Sequence, residues 1–600
     1  MKGFIGLSLT TTARAVSRLT PRMVGGQIKR LARNKSVPKF PGRYEQLVRR
    51  HARYLPSPNA CAQMPTDLVE FVGAFYRHDE QQMNDAAQGR FTNLDRTVDF
   101  GSIREIDWQY RLPEENDHHL WRMKLNQVEV VHSLIASGEP GHHKTATELL
   151  NRLAESRTFE SPDAFKVGWA PYGASHRLLA TLSGLSIGAK HGTVADETCS
   201  VLEAFARLDA GFLWLNVEHD LRNNHTERNL AALCFYHFAA ESISPTKARI
   251  LDREVRRILR STLLADGMQI ERSAMYQGLT VMSLRIFAAC PFLSASTREL
   301  ARSLADAATG AWLFLTHCDG EIALFNDSWQ GEVPPPASIF DTGSVTRPAA
   351  LPDAGYFRIS DGAGGCVEAL IDVGEIGPRW NPGHGHADFL ALEVDVHGSR
   401  LIVDPGTSQY STGPQRSYER SAASHNGPRY MGVEPVEYSG CFKVGKLNHA
   451  ELLPETLRPE STCAAAVGGR ITTPAGSCQR IIGALPSGGL LILDQWTSPH
   501  TAGAVDVLIP STWSLDVEST SSLTVSSQGT ATTVTVYDGI LGSIGEATWS
   551  SRYLQTEAAH SISLRPTDTT GDGQRLLWGV GVVEPSEVAT VSAELADRFA

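Results

Sequence analysis

At Val333-Pro334-Pro335-Pro336 the chain changes character, and no other feature constrains its fold as much. Three consecutive prolines suit neither a helix interior nor a central strand. Before them, Arg177–Leu185, Glu197–Asn216, Asn224–Ser242, Thr246–Leu264, Glu271–Ala289 and Ser296–Cys318 carry apolar residues at three-to-four spacing, with Gly, Pro or Asx signals between most of them. Beyond them, Tyr356–Ser360, Cys366–Val373, Phe389–Val396, Leu401–Asp404 and Gly489–Asp494 are short and rich in β-branched or alternating apolar residues. Residues 517–565 are dense in Ser, Thr and Val. The fold class this predicts is α+β and multidomain. Serial antiparallel helices make a toroid or solenoid, and the second half a β-sandwich or stack of sheets. The domains predicted are a basic N-terminal tail over 1–40, a helical domain over 41–335 and an antiparallel β-sheet domain over 345–600.

The first 160 residues are more mixed. Arg90–Trp108 has no helical period and reads as a strand-turn excursion, whereas Glu114–Ser137 reads as helical. The tail has a short apolar piece, Phe4–Leu9. Arg14, Arg18, Arg22, Lys29, Arg30, Arg33 and Lys35 follow, with no acid before Glu45. A secretory signal needs a longer apolar centre, so a disordered or surface-associating basic tail is expected. No apolar run approaches the roughly 18 residues that span a membrane. The net charge of −11 argues against nucleic acid as a partner but leaves room for an anionic ligand in a local basic cleft. Nine scattered cysteines without a Cys-x-x-Cys pair suggest buried thiols, not disulfides or a cysteine metal site.

Three constellations carry chemistry. Asn381–Tyr430 holds His384, His386, Asp388, Asp404 and His425. Two strands flanking His397-Gly398-Ser399 form a hairpin that returns Asp404 toward His386, so His386, Asp404 and His425 can converge on a borderline divalent metal. Spacing leaves two readings open. The trio plus a water makes a hydrolytic zinc site, or the metal only braces a loop and His384 does the chemistry. Second, Asn224 is an expected N-cap, with Glu227 completing a capping box, which puts Asn224 and His225 at a helix N-terminus suited to an anion. Third, the turn after Asp266-Gly267 leaves Tyr276 near a helix start. Recurrent aromatics, Trp108, Tyr110, Trp121, Trp169 and Tyr172, read first as core and otherwise as platforms for sugar rings.

Together these motifs resemble the heparinase II/III family of polysaccharide lyases. The match rests on GHGHADFLALEV (from Gly383), VDPGTSQY (from Val403), YERSAASHN (from Tyr418) and FKVG (from Phe442). It is firm from about Trp169 to Lys446, and weaker in Arg90–Asn126, which resembles members associated with exopolysaccharide gene clusters. The resemblance implies an (α/α) toroid followed by antiparallel sheet layers. It implies β-elimination on a uronic-acid-containing polysaccharide, with Asn224 and His225 engaging the carboxylate and Tyr276 and His384 as acid and base. It implies Zn2+, mainly structural, on His386, Asp404 and His425. Trp169, Tyr172, Arg177, Tyr410 and Arg420 are the expected substrate-binding residues. The expected partner is an anionic polysaccharide or oligosaccharide, with a homodimer allowed. The lack of a clear signal peptide favours the cytoplasm, with the periplasm or exterior as the alternative. Met268-Gln269-Ile270, Gln277 and Gly427-Pro428 depart from the family pattern. A zinc-dependent glycan hydrolase and a non-catalytic glycan-binding protein of an exopolysaccharide pathway are the competing classes.

Overall fold

The computed structural model describes residues 9–598 apart from 162, 342, 344, 362–365, 458–462, 464, 568–572, 582 and 584. Most of the apolar Phe4–Leu9 piece lies outside the described residues. Two compact units result, one of residues 19–263 and 278–309, the other of residues 1–18, 264–277 and 310–600.

The first unit is built almost wholly of helices. Pro171–His191 is its central rod and runs buried along nearly its whole length. Pro at its first position and Gly192 in the left-handed region at its end delimit it as helix chemistry requires. Asp196–Asn216, Asn223–Ala239 and Pro245–Thr262 follow within two or three residues of the sequence-predicted bounds. Arg90–Asn93 pairs antiparallel with Arg96–Asp99, as the strand-turn reading predicts. Two expectations are corrected. Glu114–Ser137 is helical only over Leu120–Gln127 and Val131–Ala136, and Val128 takes a left-handed φ of 45° that ends the first. The basic tail is not disordered over its described residues. Pro21–Ser36 is a helix whose Arg22 pairs with Glu254 at 2.5 Å and Arg30 with Asp220 at 3.0 Å, so acids of the helical unit hold two of its cations.

The second unit holds three main antiparallel sheets. Five strands in sequence order, Ala350–Leu351, Tyr356–Ser360, Val367–Asp372, Leu392–Val396 and Ser399–Ile402, form one. An eight-stranded sheet is centred on Gly476–Ala484, Leu490–Trp496 and Gln574–Val580, and a four-stranded sheet on Gly503–Pro510 and Glu557–Arg565. Alternating inward residues such as Ile371, Val394, Ile482, Ile492, Val507 and Trp578 form one apolar core. The hairpin at His397-Gly398 forms as read, both residues taking positive φ, 47° and 80°, in the primed geometry tight hairpins favour. The helix Leu9–Ser17 belongs to this unit, where Arg14 pairs with Glu437 at 3.0 Å. Among the described residues no helix is long and apolar enough to cross a membrane.

Candidate active site

In the sheet-bearing unit, the site is assembled around a turn, a loop and one buried carboxylate. Asp266 stabilises the turn by accepting the Met268 amide at 3.1 Å and the Ala354 amide at 2.8 Å. Arg272 holds a left-handed φ of 56°, a conformation costing on the order of 1 kcal/mol in a non-glycine residue. Its carbonyl is pinned by the Tyr356 hydroxyl at 2.7 Å and Asn326 Nδ2 at 3.2 Å. Ser273 Oγ then caps the helix Ala274–Ala289 by accepting the Tyr276 amide at 3.2 Å, and the same hydroxyl donates to the Asp327 carbonyl at 2.8 Å. Tyr276 is thereby fixed one turn into the helix.

The Tyr276 hydroxyl lies 3.1 Å from the Tyr410 hydroxyl and 3.5 Å from His384 Nδ1, with the rings of Tyr276 and His384 4.8 Å apart. His384 retains 14% side-chain exposure, and its Nε2 lies 3.9 Å from Glu271 Oε1. The loop that carries it is held by Arg420, which donates to the carbonyls of Gly383 at 3.0 Å and Gly385 at 3.1 Å. Gly385 admits no side chain, because a Cβ would sit 2.1 Å from the Ile376 carbonyl. Burial first, then Asp327 and Tyr276, push the Tyr410 phenol well above its ordinary range, so it stays protonated.

Asp327 is the carboxylate at the centre. Its Oδ2 accepts from His384 Nδ1 at 2.8 Å and Arg416 Nη2 at 2.8 Å, and its Oδ1 from His386 Nε2 at 3.0 Å and Arg416 Nη1 at 2.5 Å. Burial alone would raise this carboxyl, but Arg416 and the two histidines hold it well below the usual range. Sequence reasoning missed Asp327 and Arg416. The local signal for Asp327 is slight: an acid that closely follows the apolar stretch Ile322-Ala323-Leu324-Phe325.

Of the expected metal trio, Asp404 and His425 meet directly, Nδ1 to Oδ2 at 2.7 Å, and the His386 and His425 rings lie 5.5 Å apart. His386 Nδ1 and His425 Nε2 are buried with no hydrogen-bond partner. Burial keeps His386 neutral, its pKa lowered to about 3, and raises Asp388 to about 7. Two partnerless imidazole nitrogens beside crowded carboxylates are the donor chemistry a divalent cation uses. The fit is in donor type. The trio's ligand atoms are not gathered within 4.8 Å of one another, a condition met among the described residues only by Cys318, Glu368 and Asp395.

In the helical unit, the helix Asn223–Ala239 starts one residue earlier than predicted. Arg222 and Asn223 take φ of 54° and 55°, and no side chain caps the helix. The capping box at Asn224 and Glu227 is therefore corrected: Asn224 sits buried in the first turn, and buried Glu227 accepts from Thr280 at 3.3 Å. His225 lies with Nδ1 3.3 Å from Glu218 Oε2 and its ring 4.6 Å from that of Tyr172. Both rings line a cavity of about 590 Å³ whose walls carry six Lys or Arg residues against four acids. Asp163 lies 2.9 Å from Arg111, 3.4 Å from Lys166 and 3.6 Å from Arg122.

Trp169 and Arg177 do not line this cavity, and their expected substrate role is corrected. Trp169 stacks on Phe159 at 4.4 Å and donates to the Arg157 carbonyl at 2.8 Å. Arg177 is fully buried against Asp209 at 2.8 Å and the Asn126 carbonyl at 2.6 Å. Arg420 is likewise buried and serves the His384 loop; Tyr410, also buried, lies with its hydroxyl 3.1 Å from that of Tyr276 and its ring 5.9 Å from that of His384.

Residues 344–567 match the family model described as Heparinase II/III-like, C-terminal. Among solved structures, heparinase III aligns with 94% of this chain and 93% of its own at 12% identity, with a TM-score of 0.62. The heparinase III BT4657 gene product covers 96% and 94% at 13% identity, TM-score 0.57. Heparan sulfate lyase HepC from Pedobacter heparinus covers 87% and 86% at 14% identity, TM-score 0.54. No curated protein matches the chain by sequence. At such identities the structures establish the fold, a helical part followed by antiparallel sheets. The family match is confined to the sheet-bearing part: residues 344–567 are similar to the heparinase II/III-like C-terminal region, and the fold as a whole is that of the heparinase III structures.

Proposed function

We propose that the protein cleaves a uronic-acid-containing polysaccharide by β-elimination. The observation that carries this reading is the Tyr276 hydroxyl set between Tyr410 and His384, with His384 partly open to solvent and anchored from behind by Asp327. Elimination needs a base for the proton at C5 and an acid for the departing O4. Tyr276 is the acid and can serve as base in turn. His384 is the alternative base, its Nδ1–H donated to Asp327 so that Nε2 keeps a lone pair. Tyr410, a neutral phenol, donates to Tyr276 and favours its charged form.

Loss of the C5 proton puts negative charge on the adjacent carboxylate, which fixed donors stabilise without reorganising. Asn224 and His225 take that role by their motif. The cationic cavity beside His225 and Tyr172 supports an anionic saccharide as ligand. That some relatives of this fold are heparan sulfate lyases places sulfated uronates on the panel to test.

Zinc is proposed on His386, Asp404 and His425. When bound it supplies positive charge among Asp388 and Asp404 and braces the loop that carries His384. The proton steps belong to Tyr276 and His384.

The test is a polymer panel of alginate, heparan sulfate, hyaluronan and polyglucuronate, read for new ultraviolet-absorbing unsaturated ends. Their appearance supports elimination. Reducing ends without that absorbance mean hydrolysis, and binding without turnover means a glycan-binding protein.

A further inference from the structure

We propose that Asp327 is a positioning residue that sets opposite tautomers on two histidines of the segment Gly383-His384-Gly385-His386, presenting Nε2 of His384 and Nδ1 of His386. The two carboxylate oxygens divide the work. Oδ2 accepts from His384 Nδ1 at 2.8 Å and Oδ1 from His386 Nε2 at 3.0 Å. An Arg416 N–H already points at each of the two oxygens, so neither is placed to carry a proton toward the rings, and the imidazole nitrogen is the donor in each bond. Arg416 removes the alternative. It is buried, grips both oxygens of Asp327 at 2.5 and 2.8 Å, and supplies the charge that keeps the carboxylate ionised. Its Nη1 also lies 3.4 Å from His386 Nε2, but Oδ1 is nearer and takes its proton.

A neutral ring so held presents its other nitrogen. For His386 that is Nδ1, the buried atom with no hydrogen-bond partner. For His384 it is Nε2, on the side chain that keeps 14% exposure. One carboxylate thus makes a lone pair suited to a proton on one ring and a lone pair suited to a cation on the next. The main chain reinforces this: the Asp327 amide donates to the His384 carbonyl at 3.0 Å, and the Asp327 carbonyl holds Ser273, whose hydroxyl caps the turn of Tyr276.

The kinetic part rests on the elimination reading; the tautomer part does not. The full-length zinc-loaded protein, labelled with 15N at histidine, is compared with His384→Gln and His386→Gln to assign the two rings. One-bond and multiple-bond 15N–1H spectra are expected to show an Nδ1–H ring at His384 and an Nε2–H ring at His386. The same tautomer on both rings, or Nε2–H on His384, overturns the proposal without need of any variant at Asp327. In Asp327→Asn, kcat is expected to fall about 10²- to 10⁴-fold, the scale of a wrong-tautomer lesion, with KM within about threefold. Bound zinc is expected to fall about 10- to 100-fold in affinity. Unchanged kcat and zinc affinity overturn it. If no polymer is cleaved while the spectra show the opposite tautomers, the proposal stands and the elimination reading falls.

Discussion

The hydroxyl of Tyr276 sits 3.1 Å from that of Tyr410, and burial keeps Tyr410 a protonated phenol. A neutral donor beside a candidate acid–base tyrosine stabilises the phenolate without competing for the substrate proton. Tyr276→Phe is expected to lower turnover by about 10²- to 10⁴-fold. Its stability should change by no more than about 1 kcal/mol, the net worth of one hydrogen bond. Tyr410→Phe removes only the supporting donor and should lower turnover by less. Product absorbance and urea unfolding of both variants check this, and undiminished activity in Tyr276→Phe removes that residue from the chemistry.

Arg177 separates a packing role from a ligand role. Its guanidinium is fully buried on Asp209, and Arg157 shares the same carboxylate. Arg177→Ala leaves Asp209 short of a partner in a closed interior and is expected to cost about 3–5 kcal/mol. The measurement is the urea midpoint together with KM per folded molecule. A large rise in KM with unchanged stability would return Arg177 to the substrate.

The helical unit contains histidines that folding keeps neutral. Burial lowers His132 to about 3 and His219 and His237 to about 4, and holds His176 well below its ordinary value. Below pH ~6.5 the unfolded chain binds protons at these sites and the folded chain does not. Stability therefore falls as pH drops from about 6.5 toward 4, by on the order of 1.4 kcal/mol per pH unit for each such histidine. Urea midpoints at pH 7.5, 6.0 and 5.0 should decline steeply. His132→Gln should flatten part of the slope, and a pH-independent midpoint would contradict the assignment.

What could be read from the sequence was what local chemistry decides. His397-Gly398 specifies its hairpin because both positions need positive φ, and the helices at Asp196–Asn216 and Pro245–Thr262 follow their apolar stripes. Where tertiary contacts override local preference, the reading failed. Val128 breaks a helix its period would continue, and Arg222 and Asn223 replace the expected cap with two left-handed residues. Trp169 and Arg177 look identical in sequence whether they pack or bind. Asp327 carries no motif at all; its meaning comes from His384, His386 and Arg416, which lie 57 to 89 residues away along the chain.

His425 gives Nδ1 to Asp404 at 2.7 Å and His386 gives Nε2 to Asp327 at 3.0 Å, so His425 Nε2 and His386 Nδ1 are the nitrogens left to donate. Removing either ring should abolish tight zinc binding, because one imidazole and a carboxylate make too few ligands. Asp404→Asn should weaken it less, since the amide can still orient His425 through its oxygen. Zinc content after gel filtration, by plasma mass spectrometry, is expected to fall to near zero in His386→Ala and His425→Ala and by an intermediate amount in Asp404→Asn. If zinc in both histidine variants equals the unmodified protein's, the metal lies elsewhere, and Cys318 with Glu368 and Asp395 becomes the next place to look.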